Sequence, residues 1–215
     1  MKVTASRLIR WSGLAALVAG LIFAGIQPIH PPDVLASVTT SAWAIIQSLK
    51  LIMCLLFLLG IAGLYARQVE EAGWLGLVGF LMLSLSWWLQ TGFVFTEVFI
   101  NPLLATEAPR FVESFLGIVN PESPSEMDLG ALPTVYGLIG ISYMLGGLLF
   151  GIATLRARVL PRWPAGLLAV AAVLTPAAAL LPHAIQRFAA IPVGLAIAWL
   201  GYALWSERPQ HRDLA

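Results

Sequence analysis

The sequence predicts an all-α fold, a polytopic membrane helical bundle of six transmembrane helices with both termini in the cytoplasm. Three observations carry that expectation. Of 215 residues, 59% are apolar and only 11% are charged, and the mean hydropathy is +0.87, whereas a soluble domain is about one quarter charged. Such a chain has too little polar surface to coat a soluble core. Apolar stretches recur that are long enough to cross a hydrocarbon layer about 30 Å thick at 1.5 Å per residue. The cations fall on alternate loops, as the retention of Lys and Arg on the cytoplasmic side requires.

The spans are read at 8–26, 41–66, 74–100, 132–156, 164–182 and 186–205, each bounded by Pro, Gly or charged residues, in one integral membrane domain over 1–215. The first follows Lys2, Arg7 and Arg10, and Val34-Leu35-Ala36 resembles a signal-peptide cleavage site. The apolar run ends near Ile26, however, and Pro28, Pro31 and Pro32 put that cut too far downstream. The segment is expected to be a retained span. The stretch 74–100 exceeds what the bilayer needs, so it must tilt or project its last two turns into the interface.

With the N-terminus inside, Lys2, Arg7, Arg10, Arg67, Arg156, Arg158, Arg162, Arg208 and Arg212 are cytoplasmic and only Arg110 and Arg187 lie outside. Lys50, the remaining cation of twelve, is within a span. Trp11, Trp74, Trp163 and Trp205 are expected at the inner interface and Trp43 at the outer one, where amphipathic indoles settle. The outer loop 101–131 is acidic, with Glu107, Glu113, Glu122, Glu126 and Asp128 against Arg110. Within it Phe111, Val112, Phe115, Leu116 and Val119 recur at helical spacing. They predict a short helix lying on the membrane surface or against the bundle's own outer face.

Small residues predict how the spans meet. Ser12, Ala16, Gly20 and Ala24 form a smooth face on the first, Gly147 and Gly151 on the fourth, and Gly194 and Ala198 on the sixth. Gly60-Ile61-Ala62-Gly63-Leu64, Gly151-Ile152-Ala153-Thr154-Leu155 and Ala196-Ile197-Ala198-Trp199-Leu200 are alike, as three related helical hairpins would be.

In Ile29-His30-Pro31-Pro32-Asp33-Val34-Leu35, in Gly60 to Arg67, and in Gly201-Tyr202-Ala203-Leu204-Trp205-Ser206-Glu207-Arg208, the chain resembles a group of bacterial multi-pass proteins of the domain-of-unknown-function kind. The resemblance is one of general pattern over most of the chain. It implies a bacterial inner-membrane protein and brings no catalytic residues.

Composition and motifs exclude several classes. There is no basic block or nucleic-acid motif, so nucleic acid is not an expected partner. Phosphate loops, paired zinc ligands and nucleophile elbows are missing, and no cofactor is expected. Cys54 is the single cysteine and forms no internal disulfide. The polar groups within the spans are the remaining candidates, since an ionisable residue there costs roughly 2.5–3.5 kcal/mol on insertion scales.

Lys50 lies about 25 Å along its helix from Arg67, with Gln47 one turn above, and Gln90 is nearly level with it on the third span. Trp87, Gln90, Val94 and Glu97 form one helical stripe. Lys50 either snorkels to headgroups or pairs with Glu97 in the wall of a cavity opening outward. Trp87 and Trp88, deep in their span, need core packing or a ligand to stack on. Tyr136 and Tyr143, with Gly140 between them, share a face, and His183 and Gln186 stand in the last outer turn. Gln27, His30 and Asp33 are also on the outer side. The expected ligand-binding set is Gln47, Lys50, Trp87, Gln90, Glu97, Tyr136, Tyr143 and His183. A metal site from His30, Asp33, Glu97 and His183 has no support from spacing.

Three functions follow from these residues. The first is binding or passing a small amphipathic or lipid-like ligand. The second is an accessory role among partner membrane subunits. The third, an intramembrane enzyme, needs two titratable groups within reach of one substrate atom.

Overall fold

The computed structural model describes residues 3–120, 127–175, 178 and 183–207. Among these every regular element is helical. Helix α1 covers Ala5–Ile26, α2 Leu35–Val38, α3 Ser41–Ala66, α4 Val69–Phe95, α5 Asn101–Glu107 and α6 Pro109–Gly117; α7 covers Leu132–Ala157, α8 Arg162–Leu174, α9 His183–Gln186 and α10 Ala190–Ser206. Five segments are long and apolar enough to cross a membrane: Ala5–Ile29, Ser41–Ala66, Val69–Glu107, Leu132–Ala157 and Arg187–Ser206. This is a multi-pass membrane protein. The stretch 164–182 behaves differently from the expectation: α8 has 13 residues, or roughly 20 Å of helix. It stops two residues before Pro176, as a helix ahead of proline tends to do.

The long helices form a ring in chain order. Helix α1 packs on α3, α3 on α4, α4 on α7, α7 on α8, α8 on α10, and α10 closes on α1. Both ends of the described chain therefore lie at one end of the bundle, the terminal end, where Arg10 donates from Nε to the Trp205 carbonyl at 2.8 Å. Arg67 meets Glu207 there at 2.7 Å. The described residues between α1 and α3, between α4 and α7 and between α8 and α10 gather at the opposite, distal end.

Small residues bring the helices together at their crossings. A Cβ on Gly201 would meet the Gly13 carbonyl at 2.6 Å, one on Gly60 would meet the Ala16 backbone at 2.7 Å, and one on Gly151 the Ala169 backbone nitrogen at 2.7 Å. Gly20 and Gly194 face each other's carbonyls, and Gly147 faces Ala172. The smooth faces read from the sequence thus meet, first span to sixth and fourth span to α8. Without water to drive association, such close backbone approach is what packs helices in lipid.

Outward from the ring, Trp74, Trp88, Trp163 and Trp199 are exposed, as are aliphatic side chains along every long helix. Trp43 corrects the expectation of an outer interface anchor. It is wholly buried, in a distal cluster with Val38, Val112 and Leu116. Helix α6 takes the second of its two expected positions, against the bundle: Phe115 packs with Phe93 and Ile139 of the ring.

Candidate functional site

The third long segment is not a plain helix where it reaches the distal end. Its proline, Pro102, lacks an N–H and its ring would clash with the Val98 carbonyl in a continuing α-helix. The chain widens instead into a π turn over Thr96–Ile100, and the Asn101 N–H reaches back five residues to the Thr96 carbonyl. The Glu97 carbonyl consequently loses its usual acceptor role toward Asn101, and its next possible donor, residue 102, is the proline. Trp43 fills the vacancy, donating from Nε1 to the Glu97 carbonyl at 2.9 Å. Turns of this kind are frequent at functional sites.

The same turn buries the Glu97 side chain, which is 5% exposed. Its Oε2 accepts a hydrogen bond from Lys50 Nζ at 2.8 Å. Of the two fates open to Lys50, pairing prevails over snorkelling. Each charge alone would be expensive so far from bulk water, and the contact offsets part of that cost.

Behind the pair lies a partly open cavity of about 400 Å³ among the helices of the ring. Phe23 and Gln27 of the first segment line it, with Lys50 and Met53 of α3, and Ser86, Trp87, Gln90 and Glu97 of the third segment. Tyr136, Gly140 and Tyr143 of α7, Thr175 beyond α8, and Gln186 and Arg187 before α10 complete the wall. Its floor is aromatic. Trp87 stacks on Phe57 with centroids 4.0 Å apart, and Phe23 stands edge-on to Trp87 at 5.4 Å. Tyr143 meets the same indole edge-on at 6.1 Å.

The rim is tied by a second charged contact. Arg187 donates to the His30 carbonyl at 2.9 Å and to Asp33 Oδ2 at 3.3 Å, joining the last hairpin to the loop after α1. Asn120, just past α6, donates to the Asp33 carbonyl at 3.2 Å. His30 donates from Nδ1 to the Pro31 carbonyl at 2.7 Å and lies edge-on to Trp43. Burial pushes its pKa down to about 4, helped by the nearby Lys50 charge and opposed by Asp33.

Six of the eight residues named from the sequence line this one cavity: Lys50, Trp87, Gln90, Glu97, Tyr136 and Tyr143. Gln47 is fully buried and its amide has no hydrogen-bond partner among the described residues; it does not line the cavity. The His183 side chain lies outside the described residues. Trp88 points away from the cavity, 64% exposed. The cavity also takes in Asp33 and Arg187, which the sequence reading left out of the set. The signal for Arg187 was present: it is one of two cations in the distal connections, and the other, Arg110, stands on the surface helix. Among the described residues no group of three or more His, Cys, Asp and Glu side chains is arranged to hold a metal ion. No family model, curated protein or solved structure matches the chain.

Proposed function

We propose that the chain is a six-span protein of the bacterial inner membrane with both termini in the cytoplasm, and that its cavity faces outward and binds or passes a small amphipathic or lipid-like molecule. The single observation carrying the binding reading is the cavity itself: partly open, set among the helices of the ring, aromatic below and polar at the rim. Small-molecule sites are mostly apolar hollows of about 300–1,000 Å³ with a few convergent polar groups. The volume suits one head group and a short chain, not a two-chain lipid.

The six-span reading is supported by α8, which fills the ring position between α7 and α10. The orientation is supported by the nine cations expected at the terminal end against two at the distal end. Binding is favoured over catalysis because Lys50 and Glu97 neutralise each other, and neither is left as a free acid or base beside the cavity.

Native mass spectrometry of protein extracted in mild detergent tests the binding reading. Wild type is expected to retain a small non-covalent adduct that Gly140→Phe lacks. Gly140 lines the cavity and a Cβ there meets nothing within 4 Å, so the ring can occupy the hollow without a backbone clash. An adduct equally present in both would place it elsewhere on the protein. For orientation, Asp128→Cys and Arg158→Cys in a Cys54→Ala background are exposed to a membrane-impermeant maleimide on whole spheroplasts. Labelling at 128 alone is expected, and labelling at 158 alone would reverse the topology.

A further inference from the structure

We infer that the ligand of this cavity carries a neutral hydrogen-bonding head group, such as a hydroxyl, ester or amide, and not a phosphate, sulfonate, carboxylate or ammonium ion. The inference rests on the binding reading above and adds the ligand's charge. Four charged side chains among the described residues face the cavity: Lys50, Arg187, Asp33 and Glu97. They sum to zero, and they are matched in place. Lys50 holds Glu97 at 2.8 Å and Arg187 holds Asp33 at 3.3 Å. An anion drawn toward either cation meets the carboxylate already in contact with it, and a cation meets the converse. A net charge entering this hollow would lose water without gaining a counter-charge, and a buried unpaired charge is costly.

His30 does not alter the balance, because its imidazole is neutral near pH 7. With Nδ1–H committed to the Pro31 carbonyl, the ring's other nitrogen is an acceptor. The remaining open groups are neutral as well. The Gln90 amide and the Tyr136 hydroxyl line the cavity and make no hydrogen bond to the protein among the described residues. Together these three side chains present donors from Gln90 and Tyr136 and acceptors from Gln90 and His30. Hydroxyls and carbonyls complement such a set. Beneath it, Trp87, Ile139 and the Tyr143 ring provide an apolar wall for a short chain.

The test uses full-length protein in nanodiscs and three amphiphiles with the same eight-carbon chain: 1-monooctanoylglycerol, octanesulfonate and octyltrimethylammonium. Binding is measured calorimetrically, and partition into the bilayer is removed by subtracting the Gly140→Phe signal. Should that variant misfold, Gly140→Leu provides a smaller block. Monooctanoylglycerol is expected to show cavity-specific binding, weakened about tenfold by Tyr136→Phe or Gln90→Leu, as loss of a hydrogen bond in a dry site would do. Both ions are expected to bind at least about tenfold more weakly than the neutral compound. Cavity-specific binding of either ion as tight as that of monooctanoylglycerol overturns the inference and leaves the binding reading standing. If none of the three distinguishes wild type from the blocked variant, both fall together.

Discussion

The crossings of the bundle and the cavity between its helices are built in opposite ways. At the crossings, Gly13, Gly20, Gly60, Gly63, Gly79, Gly146, Gly151, Gly194 and Gly201 each lie so close to a neighbouring helix that a Cβ would strike it. Gly140, on the cavity wall, has open space where a Cβ would stand, and so have Gly25, Gly92 and Gly137, which are exposed on the bundle's surface. At the crossings backbones touch, and nothing enters between them. At the cavity, Trp87, Tyr136, Tyr143 and the Lys50–Glu97 pair stand among the helices, and a hollow remains. The contrast separates holding the ring together from leaving something inside it.

The largest expected effect comes from breaking a crossing. Gly20→Leu forces a branched side chain into the Gly194 carbonyl and Ala198 of α10, and is expected to abolish folded protein. Gly25→Ala, little more than one turn away, is expected to shift stability by no more than about 0.5 kcal/mol. Fluorescence-detected size exclusion before and after heating compares the two. Equal loss in both would show that close approach is not what distinguishes the two positions.

Removing one charge from the distal pair ranks next. Lys50→Met or Glu97→Leu alone leaves a buried charge without its partner and is expected to cost about 3–5 kcal/mol, and the double variant much less than the sum. Denaturant titration in detergent reads the cycle. Strict additivity would mean that the two side chains do not act as a pair.

The pH dependence of stability sharpens the same contrast. The fold holds His30 neutral, with a pKa near 4 in place of the ordinary 6.5, so the unfolded chain takes up its proton first as pH falls. Stability from this group is complete above about pH 6.5 and declines toward pH 4, on the order of 3 kcal/mol in all. His30→Gln is expected to flatten that part of the profile, and an unchanged slope would assign it to the carboxylates instead. The smallest effect is at the rim. Asp33→Asn weakens the Arg187 contact and is expected to cost about 1–2 kcal/mol, read as faster amide exchange over residues 27–38 with the terminal half unaffected.

Each of these contrasts was partly legible in the residues alone. The membrane class followed from composition and apolar run length, because a bilayer accepts only chains that satisfy their backbone internally. The small-residue faces were visible at their four-residue spacing, since helix periodicity places such residues one above another whatever the partner. The stripe Trp87, Gln90, Val94 and Glu97 was visible for the same reason, and so was the level shared by Lys50 and Gln90.

What periodicity does not encode is which helix each face meets and where the helix departs from its own period. The π turn forced by Pro102 turned Glu97 inward and freed its carbonyl for Trp43, so an indole expected at the interface is buried. Arg187 reached Asp33 across 154 residues of sequence, a contact that only ring closure makes. The helix period by itself determined which residues share a face. The closing of the ring alone decided that those faces surround a cavity in which, among the described residues, Lys50 meets Glu97 and Arg187 meets Asp33.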